Sequence, residues 1–107
     1  MTLKSDYVKF HNEVQDQLRN NMPEISRFYG IVIKMFYDDH NPPHFHAEYA
    51  EHKATIKITD FTLTKGSLPP RALGLVMEWA ALHQNDLLND WELCQNNKAL
   101  LKIDPLK

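Results

Sequence analysis

Between Asp38 and Tyr49 the chain reads Asp-Asp-His-Asn-Pro-Pro-His-Phe-His-Ala-Glu-Tyr, which places three of its six histidines and three carboxylates around a double proline. Imidazole titrates near neutrality and is a common metal ligand, so histidines clustered in an ordered segment point to proton transfer, metal binding or phosphate contact. If His44 to Ala50 is a strand, alternate residues share a face. His44, His46 and Glu48 then project one way, and Phe45, Ala47 and Tyr49 the other. Two residues along a strand span about 6–7 Å, so both imidazoles can reach one metal ion or one phosphate.

Three chemistries fit these residues. In the first, His40, His44 and His46 ligate a divalent metal such as zinc, with Asp38 or Asp39 able to complete the shell, since neutral imidazole and carboxylate oxygen both suit such ions. In the second, no metal is involved. One imidazole takes a proton from a ribose hydroxyl and the other protonates the leaving oxygen. A carboxylate such as Glu48 would hold the two rings in different protonation states, which makes His44, His46 and Glu48 the candidate catalytic residues. Lys57, Arg27 or Lys34 would stabilise phosphate charge. In the third, the histidines are half-buried strand residues hydrogen-bonded to Asp38, Asp39 and Glu48, and the prolines stiffen a turn.

The elements that must position this motif follow from periodicity. Tyr7, Phe10, Val14 and Leu18 recur at helical spacing, which predicts an amphipathic helix over Ser5 to Asn20 capped by Ser5. From Ile25 to Tyr37 the apolar residues alternate with period two, placing Tyr29, Ile31, Ile33, Met35 and Tyr37 on one face and Phe28, Val32 and Phe36 on the other. This predicts one central strand, with a bend or bulge at Gly30. Asp38 to Pro43 is a turn by composition. Lys53 to Thr59 alternates as a strand buried on one face, and Phe61 to Thr64 is a short candidate strand. Pro69-Pro70 suits a helix's first turn. Beyond it, Leu73, Val76, Met77, Ala80, Leu87, Leu88 and Trp91 mark one long helix or two helices broken near Gln84-Asn85. Leu101 to Leu106 is a candidate edge strand. Trp79 and Trp91 are expected in the core, as is Cys94, while His11 and His83 carry no chemistry.

The expected fold is therefore α+β: an antiparallel sheet of three to four strands packed on a long C-terminal helix, with an added N-terminal amphipathic helix. The domain organisation is a helical extension over 1–21 and one domain over 22–107. A chain of 107 residues with 43% hydrophobic and 24% charged residues is ordinary for a single globular domain. No segment is long and apolar enough to span a bilayer, and the polar start does not resemble a secretory signal, which predicts a cytoplasmic protein without membrane association. One cysteine excludes an internal disulfide. A net charge of −2 excludes a whole-molecule basic field for nucleic acid. The charge is nevertheless segregated: Arg27, Lys34, Lys53, Lys57 and Lys65 fall in the strand region, and Glu78, Asp86, Asp90 and Glu92 in the helical one.

Three blocks, Met22-Pro23-Glu24-Ile25-Ser26-Arg27-Phe28-Tyr29-Gly30-Ile31, Asp39 to Tyr49, and Leu68-Pro69-Pro70-Arg71-Ala72-Leu73 with Glu78-Trp79-Ala80, resemble the small bacterial domain-of-unknown-function 4160 family, marked by a Pro-Pro-His-Phe-His-Ala signature. Shorter members of that family begin at the position of Met22. The resemblance implies a gene encoded beside that of a second small protein, in a pair similar to a type II toxin–antitoxin module, with this chain as the toxin and the histidine motif as its active centre. The implied partners are a cognate antitoxin-like protein and an RNA, nucleotide or other phosphate-bearing target, and an oligomer stays open. The rivals are a non-catalytic binding module using the Tyr7-Phe10-Val14-Leu18 stripe or an exposed sheet edge, and the neutralising member of the pair.

Overall fold

The computed structural model describes residues 23–107. The predicted N-terminal helix, and with it the extension over 1–21, lies outside the described residues. Five strands, β1 (Glu24–Phe28), β2 (Ile31–Lys34), β3 (His44–Tyr49), β4 (His52–Lys57) and β5 (Leu63–Gly66), form one antiparallel sheet in the order β1-β2-β3-β4-β5. Two helices follow, α1 (Pro70–Leu82) and α2 (Gln84–Gln95).

The α+β class is as the sequence implies, but the sheet has five strands rather than three or four. The extra strand comes from the Ile25 to Tyr37 stretch, which is a hairpin. Tyr29 and Gly30 take φ of 50° and 80°, and Phe28 pairs directly with Ile31. Positive φ at both central residues gives a turn whose twist matches that of the flanking strands. Alternation cannot reveal this reversal, because a two-residue turn returns Phe28 and Ile31 to the same face. Both are buried, so Phe28 joins the Ile31, Ile33 and Met35 side instead of opposing it.

Of the two helical readings the structure takes the broken one rather than the single long helix, with the break at His83, one residue before Gln84-Asn85, where a φ of −122° leaves the helical range. An unbroken helix from 70 to 95 would run about 39 Å, roughly twice the length of a six-residue strand. The break keeps both halves on the sheet, and the Gln84 side-chain amide donates to the Ile58 carbonyl at 2.8 Å just beyond β4. The predicted edge strand at the C-terminus does not form. Instead the Ile103 N–H donates to the Ile25 carbonyl at 2.8 Å, and the indole N–H of Trp79 donates to the Asp104 carbonyl at 2.8 Å.

The core lies between one sheet face and the helices. Ile33, Phe45, Ala47 and Ile56 are fully buried against Val76, Trp79, Leu87 and Cys94. Trp79 is its centre, with its ring 5.3 Å from Phe28 and 6.0 Å from Phe45. This burial is what fixes the register of β3. Slipping that strand by one residue would put His44 and His46 into the apolar layer and Phe45 into the open.

The opposite face is polar. His46 stands across from Lys34 on β2 and Thr55 on β4, and Thr55 stands across from Lys65 on β5. His44 faces Lys57, and Glu48 faces Lys53. Cross-strand partners share a face, so four lysines of the strand region stand on the side that carries both histidines. No helix among the described residues is long and apolar enough to cross a membrane.

Candidate active site

The loop between β2 and β3 turns Asp39 back over the start of β3. The Asp39 N–H donates to the Phe36 carbonyl at 3.2 Å. The last turn of α2 grips the same loop, with the Cys94 thiol donating to the Phe36 carbonyl at 3.3 Å and the Gln95 amide donating to the Asp39 carbonyl at 3.1 Å. Cys94 is thus a buried packing residue, as expected, with an added anchoring role. Burial pushes its thiol pKa up to about 12, which keeps it protonated and unreactive. The Tyr37 hydroxyl donates to the Lys98 carbonyl at 2.8 Å from the same stretch.

Held this way, one oxygen of Asp39 meets both imidazoles. Asp39 Oδ2 lies 3.0 Å from His44 Nε2 and 2.8 Å from His46 Nε2. The three side chains are only 14–19% exposed. Each ring is fixed from its far side as well. His44 Nδ1 donates to the Pro42 carbonyl at 2.8 Å, and His46 Nδ1 lies 3.2 Å from the Thr55 hydroxyl. Phe36 stacks on His46 with centroids 4.0 Å apart, and the Trp91 ring lies 5.1 Å from that of His44. Burial lowers the pKa of His46, and its hydrogen bond to the Asp39 carboxylate offsets part of that effect.

The cluster opens into a cleft of about 600 Å³ whose other walls include Thr55, Lys57, Thr64 and Lys65. A second hollow of about 400 Å³ adjoins it, sharing His46, Thr55 and Lys65 and reaching Glu48 and Lys53. Gly66 borders that hollow at a φ of 72°, and a Cβ there would lie 1.9 Å from the Lys53 carbonyl oxygen. Only glycine fits such an approach.

The predicted residues separate accordingly. His44 and His46 come together with Asp39, which sequence reasoning weighed only as a supplement to His40. His40 is an exposed residue of the cleft wall outside the triad. Glu48 points along the same face but pairs with Lys34 at 3.2 Å. Lys57 lines the cleft, whereas Arg27 pairs with Glu24 at 2.7 Å. Thr55 and Lys65 were missed as site residues, and Trp91 was assigned only to the core. Thr55 sits at a polar position of the β4 alternation, which is a signal, but its pairing with His46 depends on a register that no local pattern encodes. His83 caps α1, with its ring 3.3 Å from Asp86.

Among the described residues, Asp39, His44 and His46 are the one group of three His, Cys, Asp or Glu side chains whose donor atoms all lie within 4.8 Å of one another. Two imidazole nitrogens and a carboxylate oxygen, sheltered but open on one side and flanked by lysines, are suited to activating water or moving protons beside an anion.

Residues 30–92, more than half of the chain and including the whole cluster, match the family described as Domain of unknown function (DUF4160), so the chain belongs to that family. No curated protein and no solved structure matches it.

Proposed function

We propose that this chain is the toxin of a bacterial two-gene module and that the Asp39, His44 and His46 cluster is a hydrolytic centre acting on a phosphate ester, with RNA as the leading substrate class. The observation that carries this reading is the convergence of both imidazoles of the His-Phe-His motif on one carboxylate oxygen at the mouth of a lysine-lined cleft. Hydrolysing a phosphodiester requires a nucleophile brought close to the phosphorus and cations beside the oxygens that gain charge. Lys57 and Lys65 supply the second requirement, and the cleft is large enough for a nucleotide unit. A cognate small protein that covers this face would silence it.

Growth after induction tests the proposal. The wild-type chain arrests growth when expressed without its neighbour, and His44→Ala and His46→Ala abolish the arrest at equal soluble levels. Equal arrest by those variants removes the cluster from the mechanism. Arrest caused by the neighbouring gene alone reverses the polarity of the pair.

A further inference from the structure

The hydrogen-bond pattern around the cluster carries a statement about what the three side chains hold. The Pro42 carbonyl can only accept, so His44 Nδ1 carries the hydrogen of the 2.8 Å bond. In a neutral ring, Nε2 then turns a lone pair towards Asp39 Oδ2 at 3.0 Å. Two lone pairs face each other, which is repulsive unless something positive lies between them. His46 permits the same layout without requiring it: the Thr55 hydroxyl beside its Nδ1 can accept or donate, and its Nε2 faces the same carboxylate atom, so the bond at His44 carries the argument. An outer ring nitrogen tied to a protein oxygen, with the inner nitrogen left free, is the usual arrangement of a metal-ligating histidine.

The spacing agrees. Donors about 2.1 Å from one ion stand about 3.0 Å apart at a right angle and about 3.4 Å apart at the tetrahedral angle. The two nitrogen–oxygen separations here are 3.0 and 2.8 Å. Phe36 and Trp91 fix the ring planes, so the donors are set in position by packing.

We propose that Asp39 Oδ2, His44 Nε2 and His46 Nε2 form a mononuclear site for a first-row divalent transition ion, zinc in the first instance, with its remaining coordination open to the cleft. The ligand set contains Asp39 and excludes His40. Two histidines and one carboxylate leave room for water or a phosphate oxygen, which is the plan of a catalytic rather than a structural zinc site. The inference rests on reading this cluster as the active centre, where the ion would supply an activated water. A metal-free imidazolium–carboxylate pair is the competing arrangement.

The experiment uses the full chain, free of any polyhistidine tag, with elemental analysis after growth in zinc-supplemented medium. Zinc titration against a chromophoric chelator and cobalt absorption spectra follow. One zinc per chain is expected, with a cobalt spectrum of mixed nitrogen and oxygen ligation. Asp39→Asn, His44→Ala and His46→Ala each weaken zinc binding by at least about 100-fold, beyond the loss typical of an outer-shell change, and His40→Ala leaves it unchanged. Thermal melts in chelator show which variants are folded, and the wild-type cobalt spectrum reports the ligands without any substitution. A wild-type chain that acquires no zinc and gives no cobalt absorption overturns the site, as does tight binding that survives Asp39→Asn and His46→Ala. Growth arrest lost in His44→Ala although the wild type holds no metal defeats this inference alone. Stoichiometric zinc together with unaltered arrest in every ligand variant defeats the hydrolytic reading and leaves the metal site standing.

Discussion

Asp39 and Asp90 are both sheltered carboxylates, and their surroundings could hardly differ more. One oxygen of Asp39 meets two imidazole nitrogens and faces a lysine-lined cleft. Asp90 is 1% exposed, accepts the Leu101 N–H at 2.9 Å on Oδ1, and has no hydrogen-bond partner for Oδ2 among the described residues. Burial pushes the Asp90 carboxyl up to about 6. A buried carboxylate without a cationic partner holds on to its proton, whereas one ringed by nitrogen donors is equipped to take up something positive. The first ties the C-terminal segment to α2. The second is placed for chemistry.

Matched substitutions sharpen this contrast, and the largest effect is expected at Asp39. Asp39→Asn preserves shape and removes the charge. It should lower growth arrest and zinc affinity by at least about 100-fold while shifting stability by less than about 1 kcal/mol. A loss of stability as large as the loss of function would make Asp39 a scaffold residue like Asp90.

Asp90→Asn should behave in the opposite way, acting on stability and leaving the site intact. The carboxyl stands near 6 in the folded chain against its ordinary value of 3.8. Below 3.8 both states hold the proton, and between the two values only the folded state does. Wild-type stability therefore falls as pH rises through that window and levels off above it. Asparagine can keep the Leu101 bond without the charge, so the variant should lose that slope. Its amide hydrogens take the place of the unpartnered Oδ2, so the net change at pH 8 should be smaller than the charge effect alone, about 3 kcal/mol, as read by urea denaturation at several pH values. Identical pH profiles for the two chains would show that the carboxyl ionises freely.

A smaller effect is expected one bond further from the cluster. Thr55→Val removes the oxygen beside His46 Nδ1 and keeps the shape of the strand residue. Zinc affinity should drop by about 10-fold with the fold unchanged. The least effect belongs to His40→Ala and Glu48→Gln, for which zinc binding and growth arrest should stay within about 2-fold of wild type. A large loss at His40 would restore the ligand set suggested by the sequence.

The part of the site carried by local pattern was legible. Phe45 and Ala47 alternate with His44 and His46, so burial of one pair puts the other on the open face. Asp39 was only half legible. It lies five residues before His44 across a loop whose path depends on contacts from Cys94 and Gln95 on α2, and Asp38, Asp39 and His40 look equivalent until that path is known. Thr55 and Lys65 come from β4 and β5, whose register is a long-range property. The hairpin at Tyr29-Gly30 escaped for a related reason, since a two-residue reversal leaves apolar alternation undisturbed. The helix break near Gln84-Asn85 was one of two open readings and falls at His83, and with no proline or glycine there the sequence could not choose between them.

The grip of α2 on the β2–β3 loop has an energetic corollary. The carbonyls of Phe36 and Asp39 are tethered by Cys94 and Gln95 before any ligand arrives. Most of the ordering entropy of that loop is therefore spent during folding, and little is left to lose on capture. Amide hydrogen exchange at Asp39, whose N–H is bonded to the Phe36 carbonyl, should then be slow in the free chain and hardly slower in the loaded one.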